Sequence, residues 1–313
     1  MKKINAILCF VIITLLVCSL SGCSEKYADM RECLERNLSE ITVNNYTSNV
    51  AEDGEYVYLA ASDGIYMIGK QSLSKTRLCW AENPQNLLAY EGRVFFTDRD
   101  HANLYCTDKS GKTETVITAS AYSYEKDVVC IDDYFIYGGK VYVFGAAKAF
   151  SYDTASGEIE NIVGNEGAEM LGIYENKPIF IEHASRTFTL YSLEHSGEKK
   201  VLFGQGTTEP DKDLIVDFRV NGSSVYFIKR APFGLFVLEE QAERELFAGD
   251  VKHIQVKDDT LYFSVDGELY CYNGQAVKFP LAKKLSEGGR FLILDGLCLY
   301  EDSNGTVRAE KIR

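Results

Sequence analysis

The sequence lacks any surplus of positive charge: 33 Lys and Arg stand against 46 Asp and Glu, a net charge of −13. That balance excludes a nucleic-acid partner and a polybasic grip on anionic lipid, both of which need clustered cations. There is no CxxC pair and no Cys/His spacing of the kind that holds zinc, so no metal or cofactor is expected. The GxSxG elbow, the HExxH helix, the P-loop and the GxGxxG turn are all missing, so no catalytic residue is assigned. No apolar run reaches the ~20 residues of a spanning helix. Proline is scarce, five residues against 20 Tyr and 17 Phe, a balance that suits strands better than helices. With 46% apolar residues, the chain can bury a sizeable core and is not disordered as a whole.

What is present begins with an address. Basic MKKIN precedes the uncharged run 6–20 (AILCFVIITLLVCSL), the length of a signal-peptide apolar region, and Leu20-Ser21-Gly22-Cys23 follows directly. This resembles the lipobox of bacterial prolipoproteins, in which small residues admit the peptidase and the cysteine thiolate takes the diacylglyceryl group. The expected organisation is a lipoprotein signal peptide (1–22), a lipidated tether with a short amphipathic helix (23–40) and one folded domain (41–313), on the outer side of a bacterial membrane. Cleavage removes Lys2 and Lys3, leaving 31 basic against 46 acidic residues and a net charge of −15. Cys33, Cys79, Cys106, Cys130, Cys271 and Cys298 remain after Cys23, most of them inside apolar runs where cysteine behaves as a small hydrophobe rather than as half of a disulfide framework.

Downstream the chain repeats. Gly54, Gly92, Gly139, Asn176, Gly222, Asp259 and Gly296 each precede an aromatic or aliphatic strand, at intervals of 38, 47, 37, 46, 37 and 37 residues. Within a unit, a strand leads through a tight turn (AYEGR, YENK, VKDDT) into a second strand. A loop follows, then a third strand such as LYCTD, AFSYD or LYSLE, and Ser-Gly turns (Ser110-Gly111, Ser156-Gly157, Ser196-Gly197) lead to a fourth. Four short antiparallel strands repeated along the chain predict an all-β fold, a β-propeller of seven four-stranded blades, or six with a degenerate end unit. The last unit offers three strands, and ITVNNY (41–46) is expected to supply its fourth and close the ring. Tyr27, Met30, Leu34, Leu38 and Ile41 recur at helical spacing ahead of it.

RVFFTDRDHANLYCTDKSGKTETVI (93–117) resembles one blade of the YWTD propellers of low-density-lipoprotein-receptor type, with Phe95-Phe96-Thr97-Asp98 in place of the signature. The chain is similar to bacterial lipoproteins carrying such a propeller. The resemblance covers 41–313 as a repeat shape and is motif-close in the second unit alone; it implies six blades and carries over no functional residue.

In a propeller the connections between blades share one face with the loops between second and third strands, and here these are the longer ones. That face carries the candidate ligand-binding residues Trp80, Asp98, Arg99, His101, Tyr122, Tyr124, His183, Arg186, Arg230 and Phe233. Trp80 is either a stacking platform for a sugar or a residue packed between blades. Arg99, Arg186 and Arg230 come from corresponding loops and suit a carboxylate or phosphate. Asp98, Asp100 and Asn103 offer three oxygens, short of the 6–8 that calcium takes. The expected function is a monomeric, membrane-anchored binding or scaffold module recognising a protein, peptide or glycan. The alternative is a glycan-active hydrolase or lyase at the channel mouth, using acids such as Asp98, Glu182, Asp266 or Glu301.

Overall fold

A computed structural model describes residues 28–40, 46–118, 131, 133–145, 148–163, 168–184, 187–193, 199–203, 215–230, 232–239 and 242–312. Its strands form seven antiparallel sheets in strict chain order, each one blade of a propeller: 50–80, 85–118, 133–163, 168–203, 215–248, 251–279 and 291–311. Among the described residues, the first six sheets have four strands and the seventh has three.

The turns explain the repeat. Between first and second strands, Glu91-Gly92, Gly138-Gly139, Glu175-Asn176 and Asp258-Asp259 all hold positive φ at both central positions. This is the type I′ hairpin, whose twist matches that of the strands it joins. Gly111 and Gly157 adopt φ of 85° and 74° between third and fourth strands. A Cβ at Gly111 would meet the Leu78 carbonyl oxygen at 2.5 Å, so the Ser-Gly turn there is required by close approach as well as by φ. An acid orders each of these turns. Asp108 Oδ1 accepts from the Ser110 and Lys112 N–H groups, and Asp153 Oδ1 from those of Ala155 and Ser156.

The core lies between blades. Tyr58, Ile65 and Leu78 of blade 1 pack with Val94 and Phe96 of blade 2, and Ile228 and Leu235 of blade 5 pack with Ile254 and Phe263 of blade 6. The five described cysteines are free thiols, four of them buried. Burial pushes the Cys106 thiol up to about 11 and raises that of Cys298 as well, which makes them inert packing groups.

At the end of the ring, Tyr46 departs from expectation. The helix Met30–Glu40 forms as its apolar spacing predicts and buries Cys33, Leu34 and Leu38 among Val57, Leu59 and Ile68 of blade 1 and Leu294, Leu297 and Leu299 of blade 7. It lies along the outer strand Val307–Lys311, where Glu35 Oε1 accepts the Ala309 N–H at 3.2 Å and Asp29 pairs with Lys311 at 3.3 Å. Of the segment expected as a fourth strand, residues 41–45 lie outside the described residues and Tyr46 begins a short helix, Tyr46–Asn49. Tyr46 is helical because its buried hydroxyl bridges two points of blade 7, donating to the Arg290 carbonyl (2.6 Å) and accepting the Glu301 N–H (3.1 Å). On the tight-turn face, Glu52 completes the seam. Its Oε1 accepts from Lys257 Nζ and from the Asp295 N–H, each at 2.8 Å, and its Oε2 lies 2.8 Å from Lys70 Nζ. Among the described residues the last blade is thus closed by side chains and a helix.

Candidate functional site

The bulges set the site. In blade 1 the pairing of Gly64–Gly69 with Lys75–Trp80 slips between Ile65 and Tyr66, so that Leu78 is an extra residue. In a regular strand, residues three apart point to opposite faces; the bulge brings Arg77 and Trp80 together. The Arg77 guanidinium lies 3.4 Å from the centre of the indole. It is fixed from behind by Asp63, whose Oδ2 accepts Nη2, and by the Tyr66 hydroxyl, which accepts Nε at 3.1 Å and donates to Asp63 at 3.0 Å. Trp80 is not packed between blades: it is 74% exposed, an indole propped on a cation that is itself held.

This platform borders a cleft of about 490 Å³ between blades 1 and 2, at the loop-rich end of the molecule. Phe96 and Tyr105, stacked at 5.3 Å, line it together with Glu82, Asp98, Arg99, Asp100 and Thr113. Burial, with the Asp98 charge second, raises the Tyr105 phenol above its ordinary range, so it presents a neutral hydroxyl. Arg99 is exposed and has no ion pair among the described residues.

The expected residues divide three ways. Trp80, Asp98 and Arg99 share the cleft. Asp98 also orders its own loop: Oδ1 accepts the Ala102 N–H and Oδ2 the Asn103 side-chain amide at 2.6 Å. His101, at φ 54°, ties blade 2 to the chain ahead of blade 3, with Nδ1 3.1 Å from the Ile131 carbonyl and Nε2 3.1 Å from Gln85 Oε1. Arg230 and Phe233 are exposed at the end of a hairpin in blade 5, away from the cleft. Tyr122, Tyr124 and Arg186 lie outside the described residues, as does the side chain of His183, whose backbone belongs to Lys177–Ala184. No group of His, Cys, Asp and Glu among the described residues is placed to hold a metal ion.

Glu82, Tyr105, Arg77 and Asp63 were not legible beforehand. Nor was a polar cluster inside the ring. The innermost strands of blades 5 and 6, Ile215–Asn221 and Val251–Lys257, each carry a bulge at the same place, between Ile215 and Asp217 and between Val251 and His253. Asp217 and His253 are therefore equivalent positions on neighbouring strands, and Nδ1 of the histidine lies 3.6 Å from Asp217 Oδ2. Arg219 Nη1 donates to Asp217 Oδ1 and to the Phe218 carbonyl, both at 2.6 Å. Burial acts to raise the Asp217 carboxyl, but the His253 hydrogen bond and the Arg219 charge outweigh it and hold the group below its ordinary value.

No family model matches the chain, and no curated protein matches it in sequence. Solved structures do. PorZ, an essential bacterial surface component of the type-IX secretion system of Porphyromonas gingivalis, superposes with a TM-score of 0.60 at 13% identity; the match covers 85% of this chain and 38% of that one. The shared feature is the propeller fold. A catalytically inactive virginiamycin B lyase from Staphylococcus aureus, solved with quinupristin, matches with a TM-score of 0.59 at 11% identity over 87% of this chain and 98% of that one. The propeller domain of the Trilobed protease from Pyrococcus furiosus, described as having an open velcro topology, matches with a TM-score of 0.56 at 14% identity over 84% and 91%.

Proposed function

We propose that the protein is a membrane-anchored, extracytoplasmic binding or scaffold module, acylated at Cys23, that recognises its ligand on the loop-rich face of a YWTD-like propeller. The likeness to a bacterial surface component supports the location, and the ordered basic, apolar and small-Cys segments support the anchor. The observation that carries binding is the exposed, propped Trp80 at the edge of the cleft. Holding a large aromatic in water forgoes roughly 1.5–3 kcal/mol of burial, and fixing its posture removes part of the entropy a ligand would otherwise have to overcome. Of protein, peptide and glycan, the geometry favours glycan: a flat platform flanked by Glu82, Asp98, Arg99 and Asp100 offers stacking together with donors and acceptors for ring hydroxyls.

The test is a glycan and peptide array probed with residues 24–313, alongside Trp80→Ala. Loss of the array signal in the variant, with an unchanged melting temperature, is the expected result. A variant that binds like the parent would take the cleft out of the function. For the anchor, Cys23→Ala should move the full chain from the detergent phase to the aqueous phase on phase partitioning; continued detergent partitioning would make the apolar run itself the anchor.

A further inference from the structure

The cluster inside the ring has chemistry that the cleft does not use. Arg219 and His253 line a cavity of about 310 Å³ within the ring, walled also by Asn86 and Tyr134 and roofed by the helix Tyr46–Asn49. Asp217 contacts both cations without lining the cavity. Arg219 spends only Nη1 on the protein, so its Nε and Nη2 donors have no partner among the described residues. His253 turns Nδ1 to Asp217, and its ring meets Phe291 edge-on at 5.0 Å. With Nδ1 committed to a carboxylate, a protonated imidazole presents Nε2–H as its remaining donor. Two bulges at matching positions aim these groups inward, a device that proteins use where a side chain must be re-aimed.

We propose that this cavity is a binding site for a small oxyanion or carboxylate, held by the free fork of Arg219 and by protonated His253, with Asp217 as the positioning residue for both. The charged groups around the imidazole are Asp217 and Arg219 of blade 5 and Asp133 of blade 3 across the cavity; on its own strand Lys252 is tied to Asp250 at 2.7 Å. Asp217 and Asp133 stand against Arg219 and a protonated His253, so the four charges balance and the anion is held by directed N–H donors rather than by net charge. Arginine suits the role because its planar fork matches two oxygens at once.

Isothermal titration of the full chain in detergent tests this with two probes: sulfate for a tetrahedral oxyanion and succinate for a carboxylate. At least one should bind saturably. Arg219→Gln should lower the affinity by roughly ten- to a hundredfold, the worth of one charge-assisted contact. His253→Gln should also weaken binding, and Trp80→Ala should leave it unchanged. If Arg219→Gln loses its melting transition, Arg219→Lys, which keeps the charge and loses the fork, should still weaken binding. Absence of saturable binding of both anions by the parent, or affinity equal to the parent's in the folded Arg219 and His253 variants, overturns the proposal.

Discussion

The seam between the last and first blades and the seams between the inner ones use the same apolar residues in different ways. Between blades 5 and 6, aliphatic and aromatic side chains from two complete sheets meet face to face. Between blades 7 and 1, a helix lies over a sheet with three strands among the described residues, and polar groups join the seam: Glu35 on the Ala309 N–H, Tyr46 on blade 7, Glu52 with Lys257 and the Asp295 N–H. The inner seams depend on shape and area. The closing seam adds a handful of charges and hydrogen bonds to its apolar cluster, and these can be broken one group at a time.

The largest effect should come from deleting residues 24–46. That removes Cys33, Leu34 and Leu38 from the core and exposes the outer strand of blade 7, so melting should fall by about 10 °C or the chain should aggregate. A deletion that melts and elutes like the parent would reduce the helix to a tether. Next, Glu52→Ala removes the carboxylate that Lys257 and Lys70 share, leaving Lys70 with Asp295 at 3.4 Å, at a cost of about 3 kcal/mol by urea denaturation. A loss near zero would mean that apolar contacts alone close the ring. Tyr46→Phe removes two hydrogen bonds from a buried hydroxyl and should cost about 1–2 kcal/mol in the same assay.

The smallest effect is on the alkaline side. Burial opposes the Lys257 charge, yet Glu52 outweighs it and holds the ammonium above its ordinary range; burial also raises the Tyr46 phenol. A group whose folded value is raised contributes stability that is whole below its unfolded value and is lost as pH rises through the folded one. Stability should therefore decline above about pH 10, the unfolded range of both groups. The decline should be shallower in Tyr46→Phe. An identical alkaline slope in that variant would detach the tyrosine from it.

The seven blades were legible because each repeat carries its own turn chemistry. Glu91-Gly92 and Asp258-Asp259 mark hairpins wherever they stand, and the helix Met30–Glu40 announces itself by Leu34 and Leu38 one turn apart. The place of Tyr46 was not legible, because ITVNNY reads locally as strand, while the Tyr46 hydroxyl answers to Arg290 and Glu301, more than two hundred positions away. The cleft was half legible. Trp80 and Arg99 could be placed on one face from loop order, but their relation to Arg77 depends on a bulge at Leu78 that no alternation of residue types records. The channel pair was hidden for the same reason: Asp217 and His253 look like ordinary polar residues of alternating strands until matching bulges put them on adjacent inner strands.

The direction of the N-terminal helix carries one more consequence. It starts at Asp29, beside Lys311 and the turns around Gly296, and so leaves the tight-turn face, while Trp80 and its cleft stand at the opposite end of the blades. Six Cα-to-Cα steps lead from Cys23 to Asp29, a reach of at most about 22 Å. With Cys23 acylated as proposed, so short a leash keeps the flat underside of the disc near the lipid and turns the cleft outward. The protein would then stand at the surface like a dish on a short stem, open to whatever arrives from outside and closed to the membrane that holds it.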